Sequence, residues 1–125
     1  MVAAPQIAAK VRVGPSLQPG HVPMLTLTLH PNAWADVCHL LGIETPRKEL
    51  FFDSYDGVLR AAEGGRGLAL IPRIVCEDQL AQGALVQIVE RTFEGHWRYW
   101  LAGRPDALTA SQFQRLARWL SALVP

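Results

Sequence analysis

Residues Phe51–Ile88 constrain the fold of this chain more than any other stretch, because their elements follow the order of an α/β lobe. An apolar strand at Glu49–Phe52 leads into Asp53-Ser54, whose side chains can accept hydrogen bonds from the first N–H groups of a helix. Glycines at Gly64-Gly65 end that helix, an apolar strand follows, and Pro72 suits the first turn of another helix. This alternation predicts a parallel sheet with flanking helices.

The segments before and after this stretch continue the same pattern. Apolar residues alternate with threonines in Pro23–Leu29, which predicts a strand. The spacing of Trp34, Val37, Cys38 and Leu41 is that of one helix face, and Gly42 ends the helix. The remaining predicted elements are a helix at Gln6–Val11, strands at Leu68–Ile71, Ala84–Val89 and Trp97–Ala102, and a turn-rich connector at Gly14–Gly20.

The last predicted helix has the clearest apolar face, formed by Phe113, Leu116, Leu120 and Leu123. Thr109 with Gln112 has the spacing of a capping box, which predicts the start of this helix.

Composition predicts one compact soluble domain. Half of the 125 residues are apolar, and 12 basic residues against 11 acidic ones give a formal net charge of +1. Basic residues form no run, so this chain alone is not expected to bind DNA. No stretch of about 18 apolar residues and no secretory signal occurs, which predicts a cytoplasmic protein without membrane contact.

Motifs for catalysis or for a metal site are missing. The four histidines lie in separate segments, and Cys38 and Cys76 do not have zinc-site spacing, so they are expected to be buried, reduced thiols. The glycines at 64–67 follow a helix and precede a strand, which is the reverse of the order in a phosphate loop. We expect no enzyme activity, no cofactor and no metal.

The strand-to-helix junctions are the better candidates for function. In a parallel sheet, the carboxyl ends of strands and the N-termini of the following helices form a crevice that binds ligands. Leu29–Asn32 and Asp53–Tyr55 both lie at such junctions. The alternative is that Asn32 and Ser54 only cap helices, that His30 is a solvated loop residue and that Tyr55 is a core aromatic.

Seven segments in order resemble the effector-binding domain of LysR-type transcriptional regulators, in particular the glycine-cleavage-activator and β-lactamase-regulator subgroup. They are Val2–Pro5, Pro31–Trp34, Leu41-Gly42, Phe52–Tyr55, Ala61–Pro72, Leu80–Val86 and Phe113–Leu120. The resemblance implies half of a type 2 periplasmic-binding-protein-like fold. Residues 1–90 would be the second lobe, and residues 91–125 the return strand and terminal helix that normally join the first lobe.

By the same resemblance, a small co-inducer binds between two lobes, and its second-lobe contacts would be His30, Pro31, Ser54 and Tyr55. The winged helix-turn-helix that binds DNA in the family, the linker and most of the first lobe have no counterpart here, which predicts a fragment or a truncated gene product. Co-inducer binding should then be weak.

The apolar face of the terminal helix would need another partner, so we expect it to repack on this lobe or to form a homodimer. A stand-alone solute-binding lobe without a DNA-binding role is the alternative function. An in-frame helix-turn-helix coding region upstream of Met1 would distinguish the two.

Overall fold

The computed structural model of the protein describes residues 1–13, 16–94 and 100–123. The chain divides into two compact units, Met1–Glu94 and Gly95–Pro125, which we call the sheet unit and the terminal unit. In chain order the elements are β1 (Val2–Ala3), α1 (Pro5–Val11), β2 (Arg12–Val13), β3 (Ser16–Leu17), β4 (Met24–Leu27), α2 (Ala33–Leu41), β5 (Glu49–Phe52), α3 (Tyr55–Glu63), β6 (Leu68–Ala69), α4 (Arg73–Ala81), β7 (Val86–Gln87), α5 (Pro105–Leu108) and α6 (Ser111–Leu123).

The main sheet has the strand order β5-β4-β6-β1-β7. Strand β4 pairs in parallel with β5 on one side and with β6 on the other. Strand β1 runs antiparallel to both β6 and β7. Four of the five strands therefore point in one direction, which confirms the predicted α/β fold with a mainly parallel sheet and adds one reversed strand to it.

Alternation along β4 divides the core between the two faces of the sheet. Met24 packs with α1 and with Trp34 of α2 on one face. Leu25 and Leu27 pack with Val58 of α3 and with α4 on the other face. The strand is buried on both sides, which explains why its sequence is apolar with only one buried threonine.

Two glycines shape the entry into β6. Gly65 has φ +68°, and the N–H groups of Gly65 and Arg66 donate to the carbonyls of Ala62 and Ala61, which is the Schellman ending of a helix. Gly67 lies so close to β4 that a Cβ at this position would be 2.2 Å from the carbonyl oxygen of Pro23. Only glycine allows this approach.

The structure confirms the predicted positions of the helices of the sheet unit and the bounds of β5. The predicted strands at Pro23–Leu29, Leu68–Ile71 and Ala84–Val89 are longer than β4, β6 and β7, because the chain turns away from the sheet soon after each short ladder. Strand β1 was not predicted. The connector at Gly14–Gly20 contains β3, and its residues 14–15 lie outside the described residues.

In the terminal unit, the predicted helix is present as α6, but the predicted capping box is wrong. Thr109 follows α5, and its hydroxyl donates to the carbonyl oxygen of Asp106 at 3.1 Å instead of capping α6. In the predicted strand Trp97–Ala102, residues 97–99 lie outside the described residues, and residues 100–102 form no strand. None of the helices in the described ranges is long and apolar enough to cross a membrane.

Candidate functional site

The strand order creates a switch point at the carboxyl ends of β4 and β6. The chain leaves β4 through α2 to reach β5 on one side, whereas it leaves β6 through α4 toward β7 on the other side. Helices α2 and α4 pack on opposite faces of the sheet. In open α/β sheets, ligands bind in the crevice that forms where successive connections diverge in this way.

A tight turn after β4 brings His30 and Pro31 to this edge. The N–H of His30 donates to the carbonyl oxygen of Leu27 at 2.8 Å, and the carbonyl oxygen of His30 accepts from the N–H of Ala33 at 3.2 Å. The chain thus passes from strand to helix within a few residues. The His30 side chain is half-buried and Pro31 is exposed.

Ser54 occupies the equivalent junction after β5. Its Oγ accepts a hydrogen bond from the N–H of Gly57 at 3.3 Å, which makes it the predicted cap of α3. Asn32 differs, because it stands at the N-cap position of α2 but its side chain makes no capping bond. The alternative interpretation, that Asn32 only caps its helix, is therefore wrong as regards a bond from its side chain.

His30 and Tyr55 lie next to each other across the two junctions. Their ring centroids are 6.3 Å apart with an interplanar angle of 44°. Tyr55 also packs against the apolar cluster beneath α3, so its ring is partly a core aromatic. The parallel register of Leu27 with Phe52 places both junctions at the same height on the sheet, which explains why residues 25 positions apart meet.

Sequence reasoning did not single out two further parts of this edge. The hydroxyl of Thr28 donates to the carbonyl oxygen of Phe52 at 2.6 Å and ties the ends of β4 and β5 together. The segment Leu70–Pro72 follows β6 and is half-buried on the other side of the switch point. The sequence predicts a strand followed by Pro72 and a helix. It does not predict which strand lies beside β6, so the position of this segment in the sheet could not be inferred.

The two thiols lie one in each part of the core, and the thiol of Cys76 donates to the carbonyl oxygen of Pro72 at 3.7 Å. Cys38 and Cys76 are both free and buried, as predicted. Burial raises the pKa of each thiol, while hydrogen bonding from Thr45 opposes the effect at Cys38. No group of three or more potential metal ligands occurs in the portion of the chain that the structure describes.

Comparison with known proteins identifies the class of domain that this fold and edge define. The model of the LysR substrate binding domain family matches residues 1–124. The chain belongs to this family. The resemblance seen in the sequence is thereby confirmed, together with the periplasmic-binding-protein-like fold.

Solved structures of regulator domains are similar to the chain. The AmpR effector binding domain from Citrobacter freundii superposes with a TM-score of 0.79 at 23% identity, over 98% of this chain and 60% of that domain. The effector domain of the transcriptional regulator AmpR of Pseudomonas aeruginosa gives 0.61 at 21% identity, over 70% and 43%. Full-length LysG from Corynebacterium glutamicum with bound effector Arg gives 0.58 at 22% identity, over 72% and 32%. The chain thus spans less than two thirds of the length of each of these structures, and no curated protein matches it.

Proposed function

We propose that this chain senses a small-molecule co-inducer as part of a LysR-type transcriptional regulator, and that the ligand binds at the switch-point edge of the sheet unit. The observation that carries the proposal is the juxtaposition of His30 and Tyr55, whose rings lie 6.3 Å apart at two neighbouring strand ends. Pro31 and Ser54 complete the proposed contacts. The effector Arg bound to LysG supports a small polar metabolite as the class of ligand.

Residues 1–90 would act as the second lobe of the effector-binding domain, and residues 91–125 would return toward the first lobe. The edge supplies one wall of the binding site, and the other wall would come from a first lobe. A site closed by two walls buries most of its ligand, so we expect weak binding to this chain alone.

The proposed role is regulatory rather than catalytic. In the whole regulator, DNA would be bound by a winged helix-turn-helix in another part of the protein, and ligand would shift the balance between arrangements of the two lobes. The cytoplasm, where the DNA is located, is the expected compartment.

A titration followed by amide proton–nitrogen spectra of the isotope-labelled chain tests the ligand site. L-Arginine is the first probe, and the other protein amino acids follow. Each is added to concentrations well above the expected dissociation constant of about 1 mM, so that saturation can be observed. We expect saturable shifts at the amides of His30, Ser54 and Tyr55. Shifts confined to other faces would refute the site.

The variant His30→Ala should weaken the response at Ser54 without changing the fold. The matched control is His39→Ala, an exposed histidine in α2 outside both junctions. Equal weakening by both variants would contradict a specific role for His30.

We also propose that copies of the chain associate through α6. Leu116, Trp119 and Leu123 on this helix are 44%, 59% and 51% exposed. Burying a large apolar side chain stabilises an interface by about 1.5–3 kcal/mol, so several together favour a homodimer.

Sedimentation equilibrium tests the association directly. We expect a dimer for the natural chain and a monomer for the double variant Leu116→Glu, Leu123→Glu. Leu40→Glu is the control, because Leu40 is 57% exposed on α2. A monomeric natural chain would remove the proposal.

A further inference from the structure

A cavity of about 420 Å³ lies at the amino ends of β4 and β6, the opposite edge of the sheet from the switch point. One side of the cavity is formed by Pro23, directly before β4, and by Gly65 and Arg66, shortly before β6. Ile7 and Lys10 of α1 form another side. The volume is within the range of small-molecule sites, about 300–1,000 Å³.

The walls of this cavity, here called the amino-edge cavity, are held in place by the backbone. The N–H of Leu68 donates to the carbonyl oxygen of Pro23 at 2.9 Å, which joins the two strand entries. The Schellman bonds fix the backbone of Gly65 and Arg66. A Cβ on Gly65 would be 2.6 Å from Nε2 of Gln6, so helix α1 also packs closely on this turn.

The floor of the cavity is apolar, and its rim carries two cations, Lys10 and Arg66, and the imidazole of His21. Ile7 and Val22 are buried at 7% and 8% exposure. Lys10, His21 and Arg66 are exposed and line the cavity, and no aspartate or glutamate does. Over residues 1–13, 16–94 and 100–123, neither Lys10 nor Arg66 takes part in an ion pair.

Two other cations of the sheet unit are partnered within the chain. Arg60 of α3 forms an ion pair with Asp56 at 2.9 Å, and Arg12 donates to the carbonyl oxygens of Gln87 and Ile88. The net charge of the whole chain is only +1. Lys10 and Arg66 therefore place two positive charges beside an apolar surface, and no acidic residue of the cavity lining neutralises them.

We propose that the amino-edge cavity binds a small organic carboxylate, with its apolar part on Ile7 and Val22 and its carboxylate between Lys10 and Arg66. A guanidinium matches a carboxylate with two parallel hydrogen bonds, and an ammonium adds a compact positive charge. The apolar floor distinguishes this ligand from an inorganic anion, which would leave Ile7 and Val22 without a contact. The site is separate from the co-inducer site and does not depend on the function proposed for it.

Amide spectra of the isotope-labelled chain, titrated with phenylbutyrate, test this site. Saturable shifts are expected at Lys10, Val22, Gly65 and Arg66, while the amides of His30 and Ser54 at the opposite edge should not change. Phenylbutyramide, which lacks the charge, and inorganic phosphate, which lacks the apolar part, should each bind at least about tenfold more weakly.

The variants Arg66→Gln and Lys10→Gln should each weaken phenylbutyrate binding about tenfold, because each removes one charged contact. Arg60→Gln is the matched control, since Arg60 is on the same helix that leads into the cavity wall but does not line it. All three substitutions are at exposed positions, and unchanged spectra away from the site confirm the fold. Equal binding of the amide or of phosphate, absence of saturable shifts, or an equal loss in Arg60→Gln would overturn the proposal.

Discussion

Thr28 bonds to Phe52 twice through the same carbonyl oxygen, from its backbone N–H at 2.8 Å and from its hydroxyl at 2.6 Å. The bonds lie one residue past the end of β4 and continue the pairing with β5. They therefore hold the two strand ends together at the point where the proposed ligand contacts begin.

The variant Thr28→Val removes only the hydroxyl bond. We expect the free energy of unfolding of the sheet unit to fall by about 1 kcal/mol or less. The loss should be small because Thr28 is exposed and water can replace the lost bond. Urea unfolding followed by the fluorescence of buried Trp34 measures it. Thr109→Val, whose hydroxyl bond is in the terminal unit, should leave this transition unchanged.

Ser54 and Asn32 occupy the same position in α3 and α2 but differ in their side-chain bonds. Ser54→Ala should lower the free energy of unfolding by about 1 kcal/mol, because it leaves the N–H of Gly57 without its acceptor. Asn32→Ala removes no capping bond and should cost less than about 0.5 kcal/mol. Matching losses in urea unfolding would show that the bond of Ser54 contributes little.

Gly67 is the position at which an added methyl group meets backbone rather than a side chain. Gly67→Ala would place Cβ 2.2 Å from the carbonyl oxygen of Pro23, so β4 and β6 must separate. We expect a loss of about 3 kcal/mol or more in the free energy of unfolding. Gly20→Ala is the control, because nothing lies within 4 Å of its added Cβ; a similar loss there would show that the approach to Pro23 is not the cause.

The two buried thiols should make the free energy of unfolding depend on pH in the alkaline range. Burial raises the pKa of Cys38 and Cys76 in the folded state, whereas unfolded thiols ionise near about 8.5. The contribution of the two protonated thiols to the free energy of unfolding is complete below that pH. It is lost as pH rises through the folded pKa values, because the thiols of the unfolded chain lose their protons at a lower pH. The free energy of unfolding should fall more between about pH 8 and pH 10 than in the variant Cys38→Ala, Cys76→Ala. Parallel curves would exclude the thiols as the cause.

Local signals predicted the elements well where several agreed. The bounds of β5 follow from an apolar run ended by Asp53-Ser54, and α2 ends where Gly42 takes φ +64°. Strand β1 has two residues in the sheet, too few for any periodicity, and its neighbours come from distant segments. Pairings between such distant segments cannot be predicted from the local sequence.

The same distinction applies to the candidate site. Sequence order placed His30 and Ser54 at strand-to-helix junctions, and the parallel register of β4 with β5 then brings those junctions together. The amino-edge cavity was not predicted, because Lys10 and Arg66 are distant in sequence and come together only through the packing of α1 on the turn at Gly65. The bond of Thr28 likewise depends on the neighbouring strand.

The antiparallel pairing of β1 with β7 also determines how the sheet unit would respond to mechanical force. Val2 lies opposite Gln87, so the two outer ends of the unit leave the sheet side by side. Tension applied at these ends loads the hydrogen bonds between the strands one after another, since antiparallel bonds run perpendicular to the strands. The unit should therefore peel open at low force from β7, and β4, β5 and β6 would be the last strands to separate.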